Sequence, residues 1–294
     1  MDIPAAQQTE DLSRPLGAHT SIAGGLPKAV ERAKRLDATA LQIFTRNQVR
    51  WQSPPLQPAV AQAFRLAVDD SNIAFVCAHS SYLINMASPD AEIRQRSMAA
   101  LLEETRRADV LGCRCLVLHP GSPKTDSPMV AVRRVAKGLM RVLDETAGAS
   151  VGIALENTAG QGACLGSGIE QLAEIADQAQ WPERLGMCLD SAHAYAAGYD
   201  LSDRNAVNDL VNQIASTYGI GRLWLMHLND SQSELGSHRD RHADIGSGSI
   251  GSAGFSYLLN HPQLKKIPGI IETPKGENAL AADRRNLKKL RQLV

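Results

Sequence analysis

The sequence is poor in aromatic residues and carries no net charge. Only 4% of its 294 residues are Phe, Trp or Tyr, so a packed interior must rest on aliphatic side chains. Lys and Arg together number 31, as do Asp and Glu, which gives a formal net charge of zero. Since phosphate binding depends on Lys and Arg, this balance argues against nucleic acid as a partner unless a local positive field or a metal ion is present.

Cysteine is also scarce, and its positions form no recognisable pairing pattern. The five cysteines are Cys77, Cys113, Cys115, Cys164 and Cys188. Cys113 and Cys115 are separated by one residue inside an apolar run, which places them on one face of a strand and is poor geometry for a disulfide. The spacing does not match a zinc ribbon either. We expect reduced thiols in the protein interior, which indicates a cytoplasmic location.

Long hydrophobic runs are absent as well. No stretch approaches the ~20 apolar residues that a membrane-spanning helix needs, so we expect no membrane association. The first fifteen residues are polar and contain no apolar segment of the kind found in signal peptides, so residues 1–15 are predicted to be a flexible tail. No linker-like or low-complexity tract divides the remainder, and residues 16–294 are predicted to form one domain.

Short β-rich runs alternate with longer amphipathic segments eight times along the chain. Helical patterns such as those over 91–112 and 129–148 separate the runs and end in Gly. Most of the runs are continuously apolar, which is typical of parallel strands buried on both faces. Eight alternating units in this length favour one closed α/β barrel, a (β/α)8 TIM barrel, over an open sheet. The predicted strands are LGAHTS from Leu16, ALQIFT from Ala40, IAFVCAHS from Ile73, CRCLVLHP ending at Pro120, VGIALENT from Val151, LGMCLDSAH from Leu185, RLWLMHLND from Arg222 and IPGIIETP from Ile267.

Polar residues that can bind metal stand at the C-terminal ends of the predicted strands. In a barrel these ends meet on one face, where the active sites of this fold lie. A single histidine there is more often a hydrogen-bonded structural residue, and a single carboxylate is usually a helix cap. The number of these residues argues for a shared site: they are His79, His119, Glu156, Asp190, His193, His227 and Glu272 at strand ends, with Asp240 and His242 in the loop after the seventh strand.

This set of residues predicts a metal centre at the C-terminal face of the barrel. Five of the eight histidines and four carboxylates would gather around one point, which is costly unless something binds them. Histidines mixed with carboxylates suit zinc, whereas magnesium and calcium prefer oxygen ligands alone. Nine ligands are too many for one tetrahedral ion, and they suffice for three ions if one carboxylate is shared.

Several longer segments of the chain resemble the endonuclease IV family of abasic-site endonucleases, from about Gly17 to the C-terminus. The resemblance implies a DNA-repair hydrolase that cuts the phosphodiester bond 5′ to abasic sites in duplex DNA. It further implies 3′-hydroxyl and 5′-deoxyribose phosphate products and a 3′-phosphodiesterase side activity. The matching segments are GAHTSIAGGL (17–26), HSSYLIN (79–85), LHPGS (118–122), LENTAGQG (155–162), LDSAHAYAAGYDL (189–201), MHLNDS (226–231), DRHADIGSGSIG (240–251) and IIETP (270–274).

Carried over position by position, the resemblance implies three zinc ions per chain and assigns their ligands. Glu156 would bridge two of the ions, and catalysis would depend on it. Four carboxylates offset four of the six positive charges of three zinc ions, so the barrel mouth would be electropositive despite the zero net charge. A zinc-activated hydroxide would attack the phosphorus. The implied ligand sets are His79, His119 and Glu156 for the first ion; Glu156, Asp190, His227 and Glu272 for the second; and His193, Asp240 and His242 for the third.

The resemblance also implies DNA contacts from loops above the barrel. Tyr82 and Leu83 match the family's wedge, which is pushed into the duplex when the abasic nucleotide is flipped out. The family commonly has an arginine at the position of Val49, so either the neighbouring Arg50 takes its place or the grip on DNA is weaker. For His19, a structural role and a role at the site remain open alternatives. The predicted DNA contacts are Gln48, Arg50, Tyr82, Leu83 and Arg241.

Other interpretations of the sequence are kept open. A metal-dependent sugar isomerase or epimerase shares the barrel and the position of the metal site, although five histidines suit zinc better than the ions such enzymes use. A DNA-binding relative without catalysis is the second alternative. The segment 246–251 satisfies the G-x-G-x-x-G pattern without directly following a strand, which favours a glycine-rich helix entry near DNA phosphates over a nucleotide site. Monomer is the simplest expectation for the assembly.

Overall fold

The computed structural model of the protein describes residues 14–294, and a closed barrel of eight parallel strands lies at its centre. All eight strands lie within the predicted runs, so the predicted (β/α)8 barrel is confirmed. Neighbours in the barrel follow the chain order, and the last strand pairs with the first. The barrel strands are β1 (Leu16–His19), β2 (Ala40–Phe44), β3 (Phe75–His79), β4 (Cys115–Leu118), β5 (Gly152–Glu156), β6 (Leu185–Asp190), β7 (Leu223–His227) and β10 (Gly269–Ile271).

Helices follow the strands and surround the barrel. Several begin where the sequence supplies a suitable first turn, such as Pro at the start of α2 and α4 and the Asp90 side chain that caps α3. The helices are α1 (Leu26–Lys34), α2 (Pro58–Asp69), α3 (Ala91–Val110), α4 (Pro128–Glu145), α5 (Ile169–Gln178), α6 (Ser191–Ala197), α7 (Arg204–Thr217), α8 (Gly251–Asn260) and α9 (Ala279–Arg291). No helix within residues 14–294 is long and apolar enough to cross a membrane.

A small antiparallel sheet stands outside the barrel and was not predicted. It joins β8 (Asp230–Ser231) to β9 (His242–Ala243), directly after β7. Each of its strands is only two residues long, too short to produce an alternating pattern that could be recognised in the sequence. The sheet matters for function because it carries His242 back towards the C-terminal end of the barrel.

Cysteine and aliphatic side chains form a buried cluster among the barrel strands, which fits the scarcity of aromatic residues. This cluster includes Cys77, Cys115 and Cys188 together with aliphatic residues of other barrel strands. All five cysteines of the chain are free, and four of them are buried. The expectation of unpaired interior thiols is therefore confirmed for these positions.

The described residues begin at Arg14, which was predicted to belong to the tail. Its buried guanidinium donates hydrogen bonds to the carbonyls of Ile267 and Leu259 at 3.0 and 2.9 Å. Residues 1–13 of the predicted tail lie outside the described residues, so their flexibility stays a prediction.

Candidate metal centre

The nine predicted metal ligands converge at the C-terminal end of the barrel. Eight of them form overlapping groups in which one ligand atom from each residue lies within 4.8 Å of the others, and the ninth, Asp240, lies 3.2 Å from both His193 and His242. Two of these groups have the composition that the resemblance implied for the first and second ions. Three groups consist of predicted ligands alone, and a fourth adds Cys188 to Glu156 and His227; the three are His79, His119 and Glu156; Glu156, Asp190, His227 and Glu272; and Asp190, His193 and His242.

Glu156 stands at the centre of the cluster and faces two groups with its two oxygens. Its Oε2 lies 3.2 Å from His79 Nε2 and 3.1 Å from His119 Nε2. Its Oε1 lies 2.8 Å from His227 Nδ1, which in turn lies 3.3 Å from Glu272 Oε2. The carboxylate is fully buried. This arrangement is suited to a carboxylate that bridges two ions.

The third group is more open than the other two. Asp240 reaches His193 Nε2 with one oxygen and His242 Nε2 with the other, each at 3.2 Å. Asp190 Oδ2 lies 3.9 Å from His242 Nε2, so this carboxylate faces both the second and the third group. The side chain of Asp240 is 44% exposed, which places this group at the edge facing solvent.

His193 does not lie at the end of a strand, as the sequence suggested, but in the first turn of α6. Strand β6 ends at Asp190, which is also the N-cap of the helix. The Asp190 carboxylate accepts a hydrogen bond of 2.7 Å from the backbone N–H of His193. Because the strand passes into the helix without a loop, the helix turn brings His193 back over the barrel mouth.

Backbone carbonyls fix the orientation of three histidine rings. Nδ1 of His79 lies 2.8 Å from the Ser80 carbonyl, and Nδ1 of His193 lies 3.0 Å from the Asn157 carbonyl. Nδ1 of His242 faces the carbonyl of Glu272 at 3.3 Å. A carbonyl oxygen only accepts, so Nδ1 carries the hydrogen in each ring and Nε2 points into the cluster.

The charges of the cluster reinforce one another. Burial alone would raise the pKa of Glu156, but the surrounding histidines, His119 and His227 foremost, hold the pKa of that carboxyl well below its usual range. Burial would likewise lower the pKa of His193, yet the carboxylates, beginning with Asp190, raise it well above the ordinary value. In the absence of metal these interactions favour the ionised form of Glu156 and the protonated form of His193.

The donor set fits zinc. Imidazole nitrogens and carboxylate oxygens are both zinc ligands, and each group supplies three or four of them. His242 Nε2 is buried and lies 3.2 Å from Asp240 Oδ1, but without the geometry of a hydrogen bond. A divalent ion would replace the protons that now separate these groups and would give that nitrogen a partner.

Two asparagines that the sequence reasoning missed hold the carboxylates in place. Asn157 exchanges hydrogen bonds with the backbone of Asp190, at 3.0 and 2.6 Å. Asn229 donates to Asp190 Oδ2 at 2.7 Å and accepts from the backbone N–H of Glu272 at 2.7 Å. Each asparagine follows a barrel strand closely, a position that could have marked it as a partner of the ligands.

A cavity of about 350 Å³ opens beside the cluster. Predicted ligands His242 and Glu272 form part of its wall, and the predicted DNA contacts Gln48 and Tyr82 form another part. Tyr82 is 68% exposed, and its ring packs edge-on against Phe44 with 5.6 Å between ring centres. The cavity therefore joins the candidate metal centre to the loops that were expected to contact DNA.

The remaining predicted DNA contacts differ in their exposure. Leu83 is half-buried, whereas Arg50 and Arg241 are exposed. The Arg241 guanidinium donates to the carbonyl of the neighbouring Asp240 at 2.6 Å. Val49, at the position where the family commonly has arginine, is 67% exposed. Its side chain is free to be replaced by a longer one.

A buried ion pair that the sequence did not predict connects the loop after β2 to the loop after β3. Arg46 and Glu104 lie 2.7 Å apart, both almost fully buried. Arg46 Nη1 also donates to the carbonyls of Arg50 and Trp51, in the loop after β2. Glu104 Oε2 accepts from the backbone N–H of Ser81, in the loop after β3. One pair thus anchors both of the segments that carry predicted DNA contacts.

The glycine-rich segment 246–251 leads into α8, as the sequence suggested, and its N–H groups bind an internal carboxylate. The buried carboxylate of Asp230 accepts from the N–H groups of Gly246 and Gly248 at 2.9 and 3.0 Å, and from that of Ile250 at 3.0 Å. A Cβ on Gly248 would overlap the Ser231 carbonyl. An internal carboxylate therefore occupies the N–H groups that were expected to lie near DNA phosphates.

Known proteins with similar sequence or structure share this barrel. The family described as a xylose isomerase-like TIM barrel matches residues 30–292. "Probable endonuclease 4" of Chloroflexus aurantiacus is 42% identical over 278 residues, which cover 95% of this chain and 97% of that protein. The crystal structure of endonuclease IV from Thermus thermophilus has a TM-score of 0.83 at 34% identity and covers 95% of this chain and 100% of that one. A D-tagatose 3-epimerase-like protein has a TM-score of 0.72 at 19% identity, covering 95% and 98%, which indicates a shared fold alone.

Proposed function

The chain belongs to the endonuclease IV family of nucleases, and on this premise we propose that it is a zinc-dependent DNA-repair enzyme that cuts the backbone 5′ to abasic sites. The products would be a 3′-hydroxyl and a 5′-deoxyribose phosphate, and 3′-phosphodiester ends would be a second substrate. We include a cytoplasmic location and a monomeric enzyme in the proposal.

The observation that carries the proposal is the position of Glu156. One buried carboxylate lies within 3.2 Å of three histidines that belong to two ligand groups. A single metal would leave most of the nine ligand residues unpaired, whereas three ions sharing Glu156 would use them all. His79 and His119 would hold the first ion with Glu156. The second ion would take Glu156, Asp190, His227 and Glu272, and the third would take His193, Asp240 and His242.

The protein's own residues would bind and orient the ions and the DNA. Zinc, when bound, supplies Lewis acidity that activates water and stabilises the charge developing on the phosphate. The carboxylates fix the spacing of the ligand groups, and the carbonyl-bound rings of His79 and His193 keep their Nε2 atoms aimed at the cluster. The aromatic rings of Phe44 and Tyr82 would limit the access of bulk water from the cavity side.

The loops after β2 and β3 would recognise the damaged duplex. Tyr82 and Leu83 project from the second of these loops, where a partly exposed apolar wedge could enter a base step that has lost its base. Gln48 and Arg50 would contact the duplex from the first loop, and Arg241 would contact a phosphate. Extrusion costs least at an abasic site, because no base has to be unstacked or unpaired, and this provides selectivity.

The test uses a duplex carrying one abasic analogue, with the zinc content of the same preparation measured in parallel. Incision 5′ to the lesion with about three zinc ions per chain would support the proposal. Fully metallated protein without incision would overturn it, and a ketose isomerisation assay would then test the sugar-isomerase alternative. Turnover also distinguishes the enzyme from a DNA-binding relative without catalysis.

The variant Glu156→Gln should lower the incision rate by at least about 100-fold, because it removes a charge that two ions would share. Glu92→Gln is the matched control, since it makes the same chemical change in an exposed pair with Arg96 on α3. The control should incise at the wild-type rate. A Glu156→Gln protein of normal activity and zinc content would exclude the shared carboxylate.

A further inference from the structure

Gln42 lies inside the barrel on β2, and its side chain contacts two of the proposed zinc ligands. The residue is fully buried. Its amide Oε1 lies 2.8 Å from His227 Nε2, and its amide Nε2 lies 2.7 Å from Glu272 Oε1. The same nitrogen is 3.0 Å from His19 Nδ1, and Cys77 Sγ donates to Oε1 at 3.3 Å. The register of the barrel explains these contacts, since Gln42 stands opposite His19 on β1 and Cys77 on β3.

The donors and acceptors of this network can be assigned from chemistry. The ionised carboxylate of Glu272 only accepts hydrogen bonds, so the amide NH2 of Gln42 must face it. The amide oxygen then faces His227 and requires a hydrogen on Nε2 of that ring. His227 Nδ1 keeps its lone pair in the neutral ring, and it lies 2.8 Å from Glu156 Oε1, inside the cluster. One amide orientation thus decides which nitrogen of His227 is free for metal.

His227 differs in this respect from the other oriented histidines. His79, His193 and His242 each donate from Nδ1 to a backbone carbonyl and present Nε2 to the cluster. The ring of His227 is turned the other way, and its ordering partner is a side chain, that of Gln42. A backbone carbonyl cannot be removed by substitution, whereas this partner can.

We propose that Gln42 is a positioning residue of the metal centre. It holds His227 as the tautomer with hydrogen on Nε2. Together with His19 Nδ1, which lies 3.0 Å from the same oxygen, it occupies Glu272 Oε1 so that Oε2 faces the cluster. The inference rests on the proposed zinc centre and concerns one of its ions. It affects the site formed by Glu156, Asp190, His227 and Glu272 and leaves the other two ligand groups intact.

The test compares the zinc affinity of Gln42→Leu with that of the wild type, without DNA. Leucine keeps a similar volume and removes both hydrogen bonds. Loss of an ordering partner typically weakens metal binding by about 10–100-fold, so one of the three zinc ions should be released to a chromogenic chelator faster by that factor. Tyr218→Phe is the control, because it also removes a buried hydrogen bond, to the Gly186 carbonyl in β6. Its zinc release should match that of the wild type.

A second measurement needs no variant of Gln42. In zinc-loaded wild-type protein labelled with nitrogen-15 histidine, long-range nitrogen–proton correlation spectra report which ring nitrogen carries the hydrogen. We expect His227, assigned by loss of its signals in His227→Asn, to carry the hydrogen on Nε2 and to bind metal through Nδ1.

The outcomes separate this inference from the proposed function. A wild type that holds three zinc ions and incises abasic DNA, with Gln42→Leu releasing zinc at the control rate, would overturn the role of Gln42 alone. A His227 hydrogen on Nδ1 would do the same. A wild type that binds no zinc would overturn the proposed function, and the inference would fall with it.

Discussion

At the scale of single residues, Glu104 is the buried charge that connects the barrel to the predicted DNA contacts. It is 1% exposed and pairs with Arg46, which holds the loop after β2, while its other oxygen holds Ser81 in the loop after β3. Breaking a buried pair by removing one charge leaves the other uncompensated, which costs about 3–5 kcal/mol. This residue therefore links the stability of the fold to the shape of the surface that carries the predicted DNA contacts.

The variant Glu104→Gln should destabilise the protein by about 3 kcal/mol and weaken binding of abasic duplex more than it slows turnover of bound DNA. The loops would lose their common anchor, whereas the ligand groups would stay in place. Urea unfolding, with KM and kcat measured separately, checks both parts. Glu103→Gln, in a partly exposed pair with Arg107, should cost less than about 1 kcal/mol. A fall in kcat with unchanged KM would contradict the role in DNA binding.

If His242 is a zinc ligand as proposed, zinc binding should depend on pH. Burial alone would lower its pKa, but the nearby carboxylates of Asp240 and Asp190 outweigh burial and raise the pKa to about 9 in the metal-free protein. This raised pKa stabilises the metal-free fold fully below about pH 6.5, and the contribution is lost as the pH rises through about 9. Zinc requires the neutral ring, so the two effects run in opposite directions.

The apparent zinc affinity should therefore rise between pH 7 and about 9 by up to about tenfold per pH unit for each proton released. Over the same interval, the metal-free protein should lose stability. Competition with a chelator of known affinity, together with urea unfolding of the metal-free protein, measures both trends. Equal zinc affinity at both ends of this range would show that His242 is neutral before the metal binds.

The position of a residue in the fold determines whether its role could be predicted from the sequence. His79 and Glu156 follow apolar runs at the ends of strands, and the barrel fold places such ends on one face. Gln42 lies within a strand, where a polar residue gives no sign of its neighbours until the register is known. Glu104 looks like an ordinary charge on a long helix, because its partner Arg46 is 58 residues away in the sequence.

At the scale of elements, the small sheet after β7 depends on Asp230. This residue begins β8 and, through its carboxylate, holds the segment that leads into α8. The partner strand β9 begins with His242, so the geometry of the third ligand group depends on this sheet. The sequence could not reveal the connection, since both strands are two residues long and the glycine pattern suggested an anion site instead.

The variant Asp230→Asn should destabilise the protein by at least about 3 kcal/mol, because it replaces a charged acceptor of several backbone N–H groups with an amide that carries hydrogens of its own. The zinc content should fall from three to two as the third group is displaced. Asp203→Asn is the control, since Asp203 caps α7 through two exposed hydrogen bonds and Asn caps helices nearly as well. If the Asp230→Asn protein is destabilised but still binds three zinc ions, the metal centre does not depend on the small sheet.

At the scale of the whole molecule, the zero net charge has to be reconciled with a polyanionic substrate. In the metal-free protein the carboxylates of the cluster raise the pKa values of four histidines, which favours a proton on each ring and a positive charge that offsets the carboxylates. These histidines are His79, His193, His227 and His242. Binding of three zinc ions would displace those protons and bring six charges, so the mouth of the barrel would gain about two positive charges. The field that attracts DNA would then come from the ions and not from the composition of the chain.

This argument predicts that removal of zinc changes the salt dependence of DNA binding. Each phosphate contact contributes about 0.9 to the slope of log K against log salt, so the zinc-loaded protein should have a slope steeper by about 2 than the metal-free protein at pH 7. Binding titrations over a range of salt concentrations measure it. The variant Arg241→Gln is the reference for the contribution of one exposed cation to the slope. It should reduce the slope by about 0.9 without changing the zinc content. If the metal-free and loaded proteins share one slope, the attraction must come from Lys and Arg elsewhere on the surface, and the zero net charge would again argue against DNA as the partner.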